Sequence, residues 1–235
     1  MSLVTAIPVH PALLVSGALA GVLLGPFAAS ASVTLPDQSW PWQAGSPSWP
    51  LGHPATTRRR VVLTMATAVV LGSLSAVLGW RPATVAFLAM GIVGVMLAAV
   101  DLEHHRLPDR LTAAGAVLSA SLVLADALVL GSWYRLASGL ICAAVALAVF
   151  LGMALISPHG MGLGDVKLAG LLSLHTGWLS WQLALLALLA GFAVGAVASL
   201  ALLLSRRATL RTAIPFGPAL LVGAWAVVLA LGPIH

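Results

Sequence analysis

Eight apolar segments with almost no charged residues constrain the fold most strongly. They cover residues 11–29, 61–80, 83–101, 111–131, 136–157, 166–177, 179–204 and 213–232. A helix of about 20 residues crosses the roughly 30 Å hydrocarbon core of a bilayer, and every segment except the sixth has about that length. The sequence therefore predicts an all-α, polytopic membrane helix bundle of about eight transmembrane segments, with the sixth short or re-entrant.

Charged residues are too scarce to cover a soluble domain, since they make up 7% of the chain against about 25% in soluble domains. Disorder is excluded by the 60% of hydrophobic residues, because disordered chains combine low hydrophobicity with high charge. The net charge of +5 comes with no basic stripe interleaved with aromatic residues, so the expected partner is the lipid bilayer and not nucleic acid. The single cysteine, Cys142, excludes an intrachain disulfide and a zinc site built on cysteines.

The basic residues indicate the orientation, because cytoplasmic loops carry an excess of Lys and Arg. If the loop at 30–60 is cytoplasmic and the segments alternate, only Arg81 and Arg135 lie outside. The residues then inside are Arg58, Arg59, Arg60, Arg106, Arg110, Lys167, Arg206, Arg207 and Arg211. This orientation places the N-terminus outside, and it places Trp80, Trp133, Trp178 and Trp181 at the outer interface.

Two regions are expected along the chain. Residues 1–60 comprise an N-terminal transmembrane helix and a cytoplasmic loop rich in Pro and Trp, and residues 61–235 comprise the membrane-embedded core. Alternatively, the first segment is a signal peptide, with the small residues Ser30-Ala31-Ser32 as its cleavage site. The first ten residues carry no Lys or Arg, which a signal peptide needs, so we expect the first helix to be retained.

The chain contains only six acidic residues. Among them, Asp101 has the position that a purely structural role explains least well. It follows the apolar residues 83–100 at a helix C-terminus, where the dipole disfavours negative charge, and acidic groups at membrane spans are functional candidates. Asp109, by contrast, opens a helix after Pro108, where an acid is favoured. The other acids are Asp37, a turn residue in the Pro-rich loop, Asp126, which can pair with Arg135, and Glu103, whose role stays open.

A glycine-rich stretch supplies the second acidic candidate. In the run from His159 to Asp165, glycine recurs at every second position, as at Gly162 and Gly164, so the backbone can bend sharply and admit a close neighbour. Asp165 opens the sixth segment, and the charge bias places it at the same membrane face as Asp101. Two carboxylates at one depth predict an aspartyl dyad that shares a proton, activates water and protonates a leaving amine. A phosphate-binding turn is disfavoured because Asp165 repels an anion.

Other uses of these acids stay open. Paired carboxylates also form the cation sites of secondary transporters and channels, where acids near the bilayer midplane are favoured. A non-catalytic assembly protein of a secretion machine is a third alternative. Glu103, His104 and His105 offer metal ligands, but adjacent histidines point in different directions on a helix, so no metal site is expected.

Three motifs together resemble the prepilin peptidase (type IV leader peptidase) family over residues 60–232. They are Asp101-Leu-Glu-His-His-Arg-Leu-Pro-Asp-Arg-Leu-Thr112, Gly162-Leu-Gly-Asp-Val-Lys-Leu168 and Pro215-Phe-Gly-Pro-Ala-Leu220. The resemblance implies a GxGD-type aspartic endopeptidase in the bacterial cytoplasmic (inner) membrane. Such an enzyme cleaves the leader from type IV prepilin or pseudopilin-like precursors at the cytoplasmic face.

The resemblance also assigns roles to individual residues. Asp101 and Asp165 match the catalytic aspartates of the family. Some members use S-adenosylmethionine to methylate the new N-terminus and carry Cys-x-x-Cys motifs in the first cytoplasmic loop. The loop at 30–60 lacks cysteine, so this short form is expected to cleave without methylation and to need no cofactor. The matching supporting residues are Pro108, Asp109, Gly162, Gly164, Lys167, Pro215, Gly217 and Pro218.

The local charges predict a division of roles between the two aspartates. Asp101, at a helix C-terminus and near Glu103, is predicted to hold the proton. Asp165, at a helix N-terminus and near Lys167, is predicted to have a lowered pKa and to act as the base.

Overall fold

The computed structural model describes residues 10–34, 55–156, 161–206 and 215–232. These ranges form eight helices and no strands. They are α1 (Pro11–Thr34), α2 (Thr57–Leu78), α3 (Pro82–His104), α4 (Asp109–Leu130), α5 (Trp133–Ile156), α6 (Leu163–Leu179), α7 (Trp181–Leu204) and α8 (Gly217–Leu231). Each predicted segment corresponds to one helix, which confirms the all-α bundle. Six of these helices are long and apolar enough to cross a membrane, whereas α6 and α8 are shorter.

Several sequence predictions concern residues outside the described ranges. They involve Asp37 and most of the Pro- and Trp-rich loop, His159 and Gly160 of the glycine-rich stretch, Arg207 and Arg211, and the start of the segment at 213–232.

Glycine spacing brings α1 and α2 into close contact. Gly17, Gly21 and Gly25 recur every four residues and therefore lie along one face of α1. A Cβ at Gly21 would lie 2.4 Å from the Cα of Ala68, so a larger residue does not fit there. Within a bilayer the hydrophobic effect does not drive helices together, so their association depends on close packing. A stripe of small residues permits this close packing.

The short helix α6 forms the centre of the bundle. Nearly all of its residues from Val166 to Trp178 are buried, and they pack against Leu97 of α3, Leu111 of α4 and Leu220 of α8. The long helices α5 and α7, by contrast, leave most of their apolar side chains exposed. An apolar outer surface around a packed centre is the arrangement that a lipid environment favours.

Candidate active site

Asp101 lies in the last turn of α3 and is buried. The helix ends at His104, and His105 adopts the left-handed conformation with φ 52° and ψ 36°. The His105 N–H donates to the Asp101 carbonyl at 2.9 Å, which closes the helix in the manner of an αL cap. The predicted position of Asp101 at a helix C-terminus is confirmed.

The first residue of α8 binds the Asp101 carboxylate. The Gly217 N–H donates to Asp101 Oδ2 at 3.1 Å in a buried hydrogen bond. A Cβ at Gly217 would lie only 2.8 Å from the same oxygen, so the contact requires glycine. The positive end of the α8 dipole thus lies against Asp101 and favours a negative charge there, opposing the effect of α3.

Asp165 lies in the first turn of α6, before the apolar segment at 166–177 and outside the six membrane-spanning helices. Burial and, after it, the charge of Asp101 raise the pKa of Asp165 to about 6, while a hydrogen bond from the Gly162 backbone opposes this shift. The predicted lowering of this pKa is therefore wrong, because burial outweighs the favourable dipole of α6. The charge of Asp101 contributes to this shift, so Asp101 and Asp165 belong to one electrostatic environment.

Gly162 and Gly164 do not produce the sharp bend that their spacing suggested. Neither adopts a positive φ, and Gly162, the N-cap of α6, has φ −78° and ψ 148°. Gly164 instead provides space, since a Cβ there would lie 2.8 Å from Leu107 Cβ. Leu107 also packs close to Gly217, with its Cδ2 3.5 Å from an ideal Cβ position. The expected close approach is thus found at Gly164.

Lys167 contacts Asp109 and not Asp165. Its Nζ donates to Asp109 Oδ1 at 2.6 Å, and both side chains are exposed. The pair joins the N-terminal ends of α6 and α4, and an exposed pair of this kind contributes about 0–1 kcal/mol. The prediction that Lys167 tunes Asp165 therefore loses its basis. Pro108 is the N-cap of α4, and its carbonyl accepts hydrogen bonds from the Thr112 N–H and hydroxyl, both at 3.1 Å.

The Pro215-to-Pro218 motif forms the start of α8. Phe216 is the N-cap residue, and Pro218 occupies the first turn, where its missing N–H costs no intrahelical bond. The Phe216 ring packs on Phe192 of α7 with 5.0 Å between the ring centroids. Half-buried Pro215 precedes this aromatic contact. The motif thus fixes the helix end whose Gly217 N–H contacts Asp101.

Arg59 makes contacts near the site that the sequence predictions missed. Its Nη2 donates to the Ser32 hydroxyl at 2.9 Å, and its guanidinium forms a salt bridge with Glu103. Arg59 therefore joins α1, α2 and α3 at the end of the bundle that holds Asp101. The only sequence feature that could have pointed to Arg59 is the run of three arginines at 58–60. The excess of basic residues in cytoplasmic loops is a sufficient explanation for that run.

The residues considered as metal ligands do not converge. Within the described ranges, no group of three His, Cys, Asp or Glu side chains is placed to hold a metal ion. Glu103 is engaged by Arg59, so the described residues do not form an assembled zinc site.

An apolar groove of about 580 Å³ is formed between helices of the bundle. Its walls are formed by α2, α3 and α8, and α6 contributes His175 and Thr176. The lining includes Leu102 and Pro218, which directly follow Asp101 and Gly217 in the chain. The lining thus includes chain neighbours of Asp101 and Gly217, although neither Asp101 nor Asp165 lines the groove.

A polytopic helix bundle with a pair of aspartates at helix ends, one of them following Gly-x-Gly, defines the class of membrane proteins with GxGD-type aspartate sites. Within that class, the chain belongs to the type IV leader peptidase family, whose sequence profile matches residues 88–200. The matched range contains Asp101, Pro108 and Asp165 and ends before α8.

The descriptions of curated relatives support this family assignment. The chain is 31% identical over 209 residues to a prepilin leader peptidase/N-methyltransferase of Aeromonas salmonicida, covering 83% of this chain and 65% of that protein. A protein with the same description from Pseudomonas aeruginosa is 30% identical over 179 residues, covering 74% of this chain and 59% of that protein. The chain thus spans less than two thirds of the length of these relatives. No solved structure gives a significant match.

Proposed function

We propose that this chain is a membrane aspartic endopeptidase that cleaves the leader peptide from type IV prepilin or pseudopilin-like membrane proteins. The observation that carries the proposal is the placement of Asp101 and Asp165 around Leu107, which packs against Gly164 and Gly217, with Asp101 bound by the Gly217 N–H. Membership of the type IV leader peptidase family and the similarity to prepilin leader peptidase/N-methyltransferases support it. The reaction is proposed to occur at the cytoplasmic face of the bacterial inner membrane.

The contacts favour Asp101 as the base and Asp165 as the acid, the reverse of the assignment from local charges. Both aspartates are removed from water, so burial does not distinguish them. The Gly217 N–H and the α8 dipole favour a charged Asp101, and that charge favours a protonated Asp165. Asp101 takes a proton from water, whose oxygen attacks the scissile carbonyl carbon while the Asp165 proton polarises the carbonyl oxygen. Collapse of the tetrahedral intermediate breaks the C–N bond, and Asp101 returns its proton to the leaving amine.

The apolar groove supports a substrate that is itself a membrane protein. Such a substrate carries its own apolar segment, which needs an apolar surface next to the reacting peptide bond. The groove lies between α2, α3 and α8, and its lining includes Leu102 beside Asp101. We infer that such a segment binds with one end near Leu102 and Pro218, which follow Asp101 and Gly217 in the chain.

Transport is the alternative use of the two carboxylates. A cation site in a transporter lies near the bilayer midplane, whereas Asp101 is in the last turn of α3 and Asp165 is in the first turn of α6. Helix ends lie near the membrane surface, where water and a soluble leader are accessible. The positions of the aspartates therefore favour peptide hydrolysis.

Cleavage of a prepilin by the purified full chain tests the proposal. Asp101→Asn and Asp165→Asn should each lower kcat by at least about 100-fold, because an amide cannot exchange the proton that water activation needs. The control is Glu103→Gln, the same acid-to-amide change at a half-exposed side chain. It should stay within about fivefold of the wild type.

The thermal midpoint of each variant separates loss of catalysis from loss of folding. Near-normal cleavage by either aspartate variant would rule out the dyad. A wild-type chain that cleaves no prepilin but carries an ion flux lost in both variants would favour transport.

A further inference from the structure

A second charged cluster lies at the end of the bundle opposite Asp101. It consists of Arg81 just before α3, Asp126 of α4, Arg135 of α5 and Trp178 of α6, and we call it the distal cluster. Arg81 and Asp101 are separated by nearly the whole of α3, or about 30 Å at 1.5 Å per residue. The distal cluster is therefore independent of the proposed peptidase site.

Asp126 is fully buried and already well satisfied in this cluster. Its Oδ1 accepts from the Ala83 N–H at 3.1 Å, and its Oδ2 accepts from the Ser132 hydroxyl at 2.6 Å. Its ion-pair partner is Arg81, at 3.5 Å from Nη2 to Oδ2, and not the predicted Arg135. The Asp126 carboxylate thus provides one negative charge for two guanidinium groups.

Both guanidinium groups pack on the ring of Trp178. The Cζ atoms of Arg81 and Arg135 lie 5.3 Å and 5.1 Å from the ring centroid. Trp178 is buried within the bundle, with 3% of its surface exposed, so its ring packs inside the protein and does not face lipid. Its Nε1 and the Arg81 Nε are buried with no hydrogen-bond partner. Unpaired buried donors and an excess positive charge are both costly, and an anion relieves both.

A cavity of about 230 Å³ adjoins these groups. Arg81, Arg135 and Trp178 line it together with His10 and Thr84, and the other lining residues are apolar or glycine. No acidic residue is among the described residues that line this cavity. The lining therefore offers cationic groups and hydrogen-bond donors to a small ligand and no carboxylate to repel an anion.

We propose that the distal cavity binds a phosphate group, supplied by an anionic phospholipid headgroup or by free phosphate. Guanidinium groups match the oxygens of a phosphate in geometry and charge. The cavity lies near the ends of α2, α3 and α6, the depth at which helix ends meet the headgroup layer. The ligand neutralises the second arginine and occupies the unpaired donors.

Binding by the purified full chain tests the proposal with two probes. Native mass spectrometry measures retention of phosphatidylglycerol, and titration calorimetry measures binding of inorganic phosphate. Arg135→Gln and Trp178→Phe should each weaken the binding of at least one probe. The expected factor is about tenfold or more for Arg135→Gln, because it removes a hydrogen bond to a charged group. Arg135 is preferred to Arg81, whose loss also leaves the buried Asp126 without its ion-pair partner.

The control is Arg60→Gln, the same charge change at an exposed residue at the other end of the bundle. An effect on phosphatidylglycerol alone identifies a lipid headgroup as the ligand, and an effect on inorganic phosphate identifies the free anion. If neither probe binds the wild type, or if Arg135→Gln and Arg60→Gln weaken binding equally, the distal cavity is not a phosphate site.

Discussion

Gly217→Ala adds a single methyl group beside the Asp101 carboxylate. The new Cβ would lie 2.8 Å from Asp101 Oδ2, closer than real Cβ atoms approach a neighbour. The carboxylate relieves this overlap only by moving away from α8, by roughly half an ångström or more. That movement lengthens the 3.1 Å hydrogen bond from the Gly217 N–H beyond its useful range.

The size of the effect follows from the lost contact. A hydrogen bond to a charged group contributes about 1.5–3 kcal/mol, which corresponds to a 10- to 150-fold lower kcat/KM if the contact acts in the transition state. The assay is cleavage of a prepilin by the purified variant, with kcat and KM measured separately. The main loss should be in kcat, because the contact holds the base and not the substrate.

Gly152→Ala is the matched control for this substitution. A Cβ at Gly152 has no atom within 4 Å, and alanine is favoured over glycine within a helix. Its activity should equal that of the wild type. If Gly217→Ala is folded, as judged by its thermal midpoint, and cleaves within about twofold of the wild type, the Gly217 N–H does not support the base and the reasoning fails.

The other predictions concern pH, orientation and methylation. If Asp165 holds the catalytic proton, kcat/KM should fall as the pH rises through about 6, because Asp165 then loses that proton. An increase of kcat/KM through this pH would instead show that Asp165 is the base. In a Cys142→Ala background, a cysteine at Glu103 should be labelled only from the cytoplasmic side and one at Tyr134 only from outside; the opposite pattern would reverse the proposed orientation. Mass spectrometry of a pilin matured by this chain alone with S-adenosylmethionine should show cleavage without an added methyl group, and a gain of one methyl would contradict the inference from the cysteine-free loop.

The positions of the helices and of the two aspartates follow from local sequence. Bilayer thickness sets the length of an apolar helix, so each apolar segment predicts one helix without knowledge of its neighbours. Asp101 and Asp165 are conspicuous because so few acids occur beside these segments. The grouping of Asp101 and Asp165 at one end of the bundle follows from the alternation of the segments.

The pairing of charges between helices required the tertiary structure. Lys167 lies two residues from Asp165 in sequence but binds Asp109, because residues two apart on a helix do not face each other. Asp126 likewise binds Arg81, just before α3, and not Arg135, which is nearer in sequence. Local sequence gives the charges on each helix but not the face that a neighbouring helix presents to them.

The sequence by itself determined a membrane bundle with two candidate acids, since hydropathy and charge along one chain are sufficient for that. Only the tertiary structure decided the environment of each acid. Gly217 reaches Asp101 across 116 residues of sequence, and the burial that raises the pKa of Asp165 comes from the packing around α6. Hydrogen bonds and desolvation depend on distances in space, and packing between helices sets these distances.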